Sequence, residues 1–136
     1  MWKGAWRFAM SLNIEKFTAH LRENAQPGFG TGLCATFVRQ ALEAAGADIP
    51  SHPALAKAWG PTLLRIGFHT IKVEKPDIFH FMTGDVMVME PYKNGNPASH
   101  IAGFDGRNWI SDFIQRDFWG GPGYRKERPG YVVYRR

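Results

Sequence analysis

The chain changes its apolar period near Gly67, and that change limits the folds open to it. Before Gly67, apolar residues recur at helical spacing. Ile14, Phe17, Thr18 and Leu21 share one face of a stretch from Ile14 to Glu23, which Ser11 or Asn13 can cap. Phe37, Val38, Ala41, Leu42 and Ala45 form a second apolar face, and Gly46 is a left-handed stop. After a loop marked by Asp48, Pro50 and Pro53, shorter helices are expected over Ala54 to Trp59 and Thr62 to Ile66, with Pro61 in the first turn. Beyond Gly67 the stretches are short and β-rich: Thr70 to Val73, Asp85 to Glu90, Ser99 to Phe104, Asn108 to Phe113 and Tyr131 to Tyr134. Asp105-Gly106 reads as a turn and Gly120 to Gly123 as a loop. Helices first and an antiparallel sheet after give one α+β domain over residues 1–136.

A composition of 44% hydrophobic and 21% charged residues suits a globular core without staples. One cysteine cannot form an internal disulfide. No apolar run approaches transmembrane length, so membrane insertion is not expected. The opening MWKGAWRFAM lacks the apolar core and cleavage site of a secretory leader, so synthesis in the cytoplasm without a signal peptide is expected. Its Trp2, Trp6 and Phe8 read as core packing rather than a partner anchor. The net charge of +5 suits an anionic partner such as nucleic acid, a membrane surface or cell wall. No nucleic-acid module signature accompanies it.

Cys34 sits where the loop Gly28-Phe29-Gly30-Thr31-Gly32 enters the second helix. Unpaired N–H groups and the helix dipole favour an anion there, which lowers a thiol's pKa and makes it a better nucleophile. The plainer reading is a small buried hydrophobe. A cysteine nucleophile needs a base and a group to orient it. Of His20, His52, His69, His80 and His100, only His100 opens a well-defined strand. If Asp105, Gly106 and Arg107 form a three-residue loop, Phe104 pairs with Asn108 and His100 with Asp112. Opposed side chains share a face with Cβ atoms about 5 Å apart, so Asp112 could orient the imidazole. With a two-residue turn the register slips and Ser111 takes that place. Paired in this way, Cys34 and His100 would hold a thiolate–imidazolium pair across neutral pH.

The ordered set GTGLCATFV, GDVMVMEP and SHIAGFDGRNWISD resembles the NlpC/P60 and CHAP branch of papain-like cysteine peptidases. The resemblance covers roughly Gly28 to Asp112. It implies a papain-like fold, N-terminal helices packed on an antiparallel β-sheet, with Cys34 as nucleophile, His100 as base and Asp112 as the orienting residue. More narrowly, HIAGFDGRNWISDFIQRDFWGGPGYR is similar to the type VI secretion amidase effectors, especially their second family. That implies a peptidoglycan amidase or endopeptidase toxin, cutting stem-peptide or cross-link amides with diaminopimelate–D-Ala favoured. It implies delivery by the type VI machinery into the periplasm of a rival bacterium, and a cognate immunity protein. No cofactor is expected, and no Cys/His cluster has zinc spacing.

Gly32, Ser99, Arg116, Trp119 and Tyr124 are candidates to line the substrate groove, with Arg116 able to meet a stem-peptide carboxylate. For the loop carrying the last three, a packed aromatic segment with an Arg116–Asp117 surface pair is the favoured reading. Two other functions stay open: a noncatalytic module binding an anionic polymer, and a cysteine enzyme, such as a deamidase, acting on protein side chains.

Overall fold

The computed structural model describes residues 11–136; Trp2, Trp6 and Phe8 lie outside them. Helix α1 (Ile14–Asn24) begins at Asn13, whose side chain accepts from the Lys16 N–H at 3.0 Å. Helix α2 (Cys34–Ala44) ends before Gly46, whose φ of 103° only glycine adopts without strain. The expected helix over Ala54 to Trp59 is a single 3-10 turn, Ala56–Ala58. Helix α3 spans Gly60–Arg65 with Pro61 in its first turn.

Five strands follow: β1 (His69–Ile71), β2 (Val86–Met89), β3 (His100–Phe104), β4 (Trp109–Ile110) and β5 (Tyr131–Arg135). They form one sheet in the order β1-β5-β2-β3-β4, with every neighbouring pair antiparallel. A short helix, α4 (Pro122–Glu127), interrupts the run before β5 where a loop had been expected.

Every residue of β2 is buried, because both faces of the sheet are covered. Val86 and Val88 pack with Phe17, Leu21 and Leu42 of α1 and α2. Met87 and Met89 pack on the opposite side with Trp109, Phe118 and Trp119. Strand side chains alternate, so His100 and Ala102 share the aromatic face while Ile101 and Gly103 face the helices. A Cβ at Gly103 would come within 2.8 Å of Phe17, which is why α1 can lie so close to β3. The sheet is pinned at one end by Asp85, 1% exposed, which takes two hydrogen bonds from Arg135, each 2.9 Å.

The β3–β4 hairpin departs from the expected register. Phe104 pairs with Trp109 and Gly103 with Ile110, leaving Gly106-Arg107 as a two-residue turn. The Asp105 carboxylate stabilises it by accepting from the Arg107 and Asn108 N–H groups at 2.9 and 2.6 Å. Pairing with β3 then stops at Ile110. The chain doubles back on itself: Ser111 N–H reaches the Phe113 carbonyl at 3.0 Å, and Gln115 N–H reaches the Trp109 carbonyl at 2.8 Å. Asp112 is peeled away from β3, and its carbonyl instead accepts from Gln26 N–H at 2.7 Å. Neither Asp112 nor Ser111 stands opposite His100.

Candidate active site

Cys34 is the first residue of α2, and the residue before it, Leu33, makes no side-chain cap. The first-turn N–H groups therefore remain available to a charge developing at the sulfur or beside it. The loop leading in is shaped by Gly28 and Gly32, at φ of 78° and 82°, and stands largely exposed. What holds it is Asp112. One carboxylate oxygen accepts from the Thr31 N–H at 2.5 Å, the Thr31 hydroxyl at 3.0 Å and the Leu33 N–H at 3.3 Å. Burial works against the Asp112 charge, but these donors outweigh it and hold its pKa below the ordinary carboxylate value. Asp112 thus grips the loop that carries the cysteine and makes no hydrogen bond to the histidine.

The partner of His100 is Gln115. Imidazole Nε2 lies 2.6 Å from Gln115 Oε1, and both side chains are buried. The amide's orientation is set at its other end, where Nε2 of Gln115 donates to the carbonyls of Asp117 at 3.1 Å and Phe118 at 3.3 Å. Oε1 must then accept, so His100 Nε2 carries the hydrogen and Nδ1 of the neutral ring carries the lone pair. Gly120 lies flat against the ring: a Cβ there would fall 2.5 Å from Cδ2. Tyr124 covers it further, with ring centroids 5.7 Å apart.

Cys34, His100 and Asp112 all line one cleft of about 460 Å³. Burial pushes the Cys34 thiol up; the Ile101 N–H opposes this, the Asp112 charge adds to it, and the net shift is upward. Burial also pushes the His100 pKa down, against the Gln115 hydrogen bond and the Asp112 charge. The expected lowering of the thiol pKa is thus reversed. Desolvation disfavours both charges, so the two shifts run toward a thiol and a neutral imidazole rather than a thiolate and an imidazolium.

The five groove candidates also line this cleft, with different degrees of freedom. A Cβ on Gly32 would meet nothing within 4 Å. Ser99, at φ of 63°, donates its hydroxyl to the Met89 carbonyl. Trp119 is 3% exposed, and its indole N–H donates to Asp77 at 3.0 Å. The expected Arg116–Asp117 pair does not form: Asp117 binds Arg125 through two hydrogen bonds of 2.8 and 3.2 Å. Arg116 is exposed.

The sequence did not single out Gln115 as the histidine's partner. The available signal was that Gln115 is the one amide side chain between Trp109 and Gly130. His52, His69 and His80 are exposed and His20 is half-buried, and none of the four lines the cleft. Among the described residues, no three His, Cys, Asp or Glu side chains group as a metal site, and no helix is long and apolar enough to cross a membrane.

No family model matches the chain, and no curated protein matches it. Solved structures do match it. The type VI native effector–immunity complex Tae3–Tai3 from Ralstonia pickettii aligns with a TM-score of 0.77 at 36% identity, covering 92% of this chain and 98% of that one. Its selenomethionine counterpart aligns at 0.75 and 38%, covering 88% and 98%. The sequence resemblance pointed to the second family of type VI amidase effectors; the solved relatives carry the name Tae3 instead. With over a third of its residues shared across nine-tenths of its length, the chain belongs to the Tae3 family of type VI effectors.

Proposed function

We propose that this effector is a cysteine amidase of papain-like, NlpC/P60 type that cuts an amide in the stem peptides or cross-links of peptidoglycan. The observation that carries the reading is a helix-start cysteine sharing one cleft with a buried histidine whose outer nitrogen is held by an amide oxygen. The net charge of +5 and the kinship with type VI effectors support an anionic bacterial polymer as the target.

His100 Nδ1 takes the thiol proton as Sγ attacks the amide carbonyl carbon. The N–H of Cys34 and a neighbouring donor stabilise the oxyanion, and a donor of this kind typically contributes about 3 kcal/mol. The imidazolium returns its proton to the leaving amine as the C–N bond breaks. Nδ1 then deprotonates a water that attacks the thioester, releasing a carboxylate and the thiol. Gln115 holds the productive tautomer, and Asp112 holds the loop that positions Cys34. The downward shift of the His100 pKa suits the role of base, because it favours the neutral ring. No metal or cofactor enters these steps.

The diaminopimelate–D-Ala amide is the favoured bond, and the periplasm of a target bacterium is the place of action. A cognate immunity protein would silence the enzyme by covering the cleft. The deciding experiment is digestion of purified sacculi with mass analysis of the soluble fragments, beside Cys34→Ala. New amine and carboxylate termini from the wild type alone support the reading. Intact sacculi overturn it, and intact sacculi that retain the protein favour a noncatalytic binder.

A further inference from the structure

Apart from His100, three charged side chains line the cleft: Asp112, Arg116 and Arg125. Two are already engaged. Asp112 accepts from Thr31 and Leu33, and Arg125 is forked onto Asp117. Arg116 has neither a hydrogen bond nor an ion pair among the described residues.

Its backbone is nonetheless held firmly. Gln115 before it is tied to His100 and to two carbonyls. Asp117 after it is tied to Arg125 and to the Trp119 N–H at 3.0 Å. A held backbone with an exposed, unpaired guanidinium lining the same cleft as Cys34 and His100 suits an anion on the substrate. The guanidinium fork matches a carboxylate in a two-bond pair, which lysine cannot reproduce.

Resting on the amidase reading, we infer that Arg116 binds a free carboxylate of the substrate flanking the scissile amide, and so selects peptides whose diaminopimelate carboxylates are not amidated. Arg116 is then a specificity residue. It places the amide over Cys34 and takes no part in proton transfer.

The test measures binding rather than turnover, in the Cys34→Ala background. Two cross-linked stem-peptide dimers are compared by calorimetry, one with free diaminopimelate carboxylates and one with carboxamides. The free form should bind about 10- to 100-fold more tightly, as expected for hydrogen bonds to a charged group. Adding Arg116→Met should erase that ratio, and Arg116→Lys should keep only part of it. Because the readout is a ratio within one variant, a general loss of folding cannot imitate the result. Equal binding of the two peptides overturns the inference, as does no measurable binding of either. So does a ratio that survives Arg116→Met, including the case where that change weakens only an immunity protein. Sacculus digestion by the wild type judges the amidase reading separately.

Discussion

The imidazole of His100 and the amide of Gln115 meet at 2.6 Å, and Gln115 can offer only its oxygen because its nitrogen is bound to the carbonyls of Asp117 and Phe118. Replacing Gln115 with Glu should raise the His100 pKa, since a carboxylate favours the imidazolium. The base is active when neutral, so the acidic limb of kcat against pH should move to higher pH. Gln115→Ala should lower kcat by about 10- to 1,000-fold with KM nearly unchanged, the pattern of a group that acts on the transition state. A pH profile that does not move in Gln115→Glu would contradict this coupling.

Asp112 makes a distinct prediction because its charge acts on both reacting groups. It raises the Cys34 pKa and also the His100 pKa. In Asp112→Asn, the alkylation of Cys34 by iodoacetamide should accelerate at a lower pH than in the wild type. The acidic limb of kcat should also shift to lower pH. The magnitude of kcat should fall about tenfold as the loop loosens. Alkylation profiles that superimpose would show that the carboxylate has no electrostatic hold on the thiol.

The same carboxylate links stability to pH. Its folded-state pKa lies below the unfolded value, so its contribution is complete above the unfolded value of about 3.9 and is lost as pH falls through the folded one. Urea titrations should show the difference in stability between wild type and Asp112→Asn shrinking below about pH 4. A difference that stays constant down to the acid transition would count against the loop clamp.

Gly120→Ala should impair turnover without touching the thiol. The added methyl would sit 2.5 to 2.8 Å from three imidazole atoms, so the ring or the loop must shift. A fall in kcat of at least about tenfold is expected from such a misplacement. Wild-type kcat in this variant would mean that the ring tolerates movement.

At the far end of the sheet, the Asp85–Arg135 pair should be asymmetric. Asp85 is 1% exposed on its side chain and Arg135 is 25% exposed. Arg135→Met strands a buried carboxylate and should cost about 3–5 kcal/mol, whereas Asp85→Asn leaves a cation that water can reach and should cost less. Urea midpoints with unchanged slopes measure both. Equal costs would show that the carboxylate is better solvated than its burial implies.

The α+β order, the helices carrying Phe17, Leu21, Val38 and Leu42, and the placement of Cys34 at a helix start were all legible in the amino-acid sequence. Each depends on spacing between near neighbours, where apolar period, caps and glycine stops act within a few residues. The strand at Val86–Met89 was legible for the same reason. The environment of His100 was not. A two-residue turn and a three-residue turn differ by one step of register, and both fit the residues around Asp105 and Gly106. The structure adopts neither of these registers: its two-residue turn is Gly106-Arg107, not the one that would set Ser111 opposite His100, and the chain folds back after Ile110. That fold-back sends Gln115 to the imidazole and Asp112 to the N–H groups at Thr31 and Leu33. The direction of the thiol's pKa shift was decided at the same level. The helix start alone favours a thiolate, but burial is a property of the packed chain, and its cost to an isolated charge outweighs the helix N-terminus.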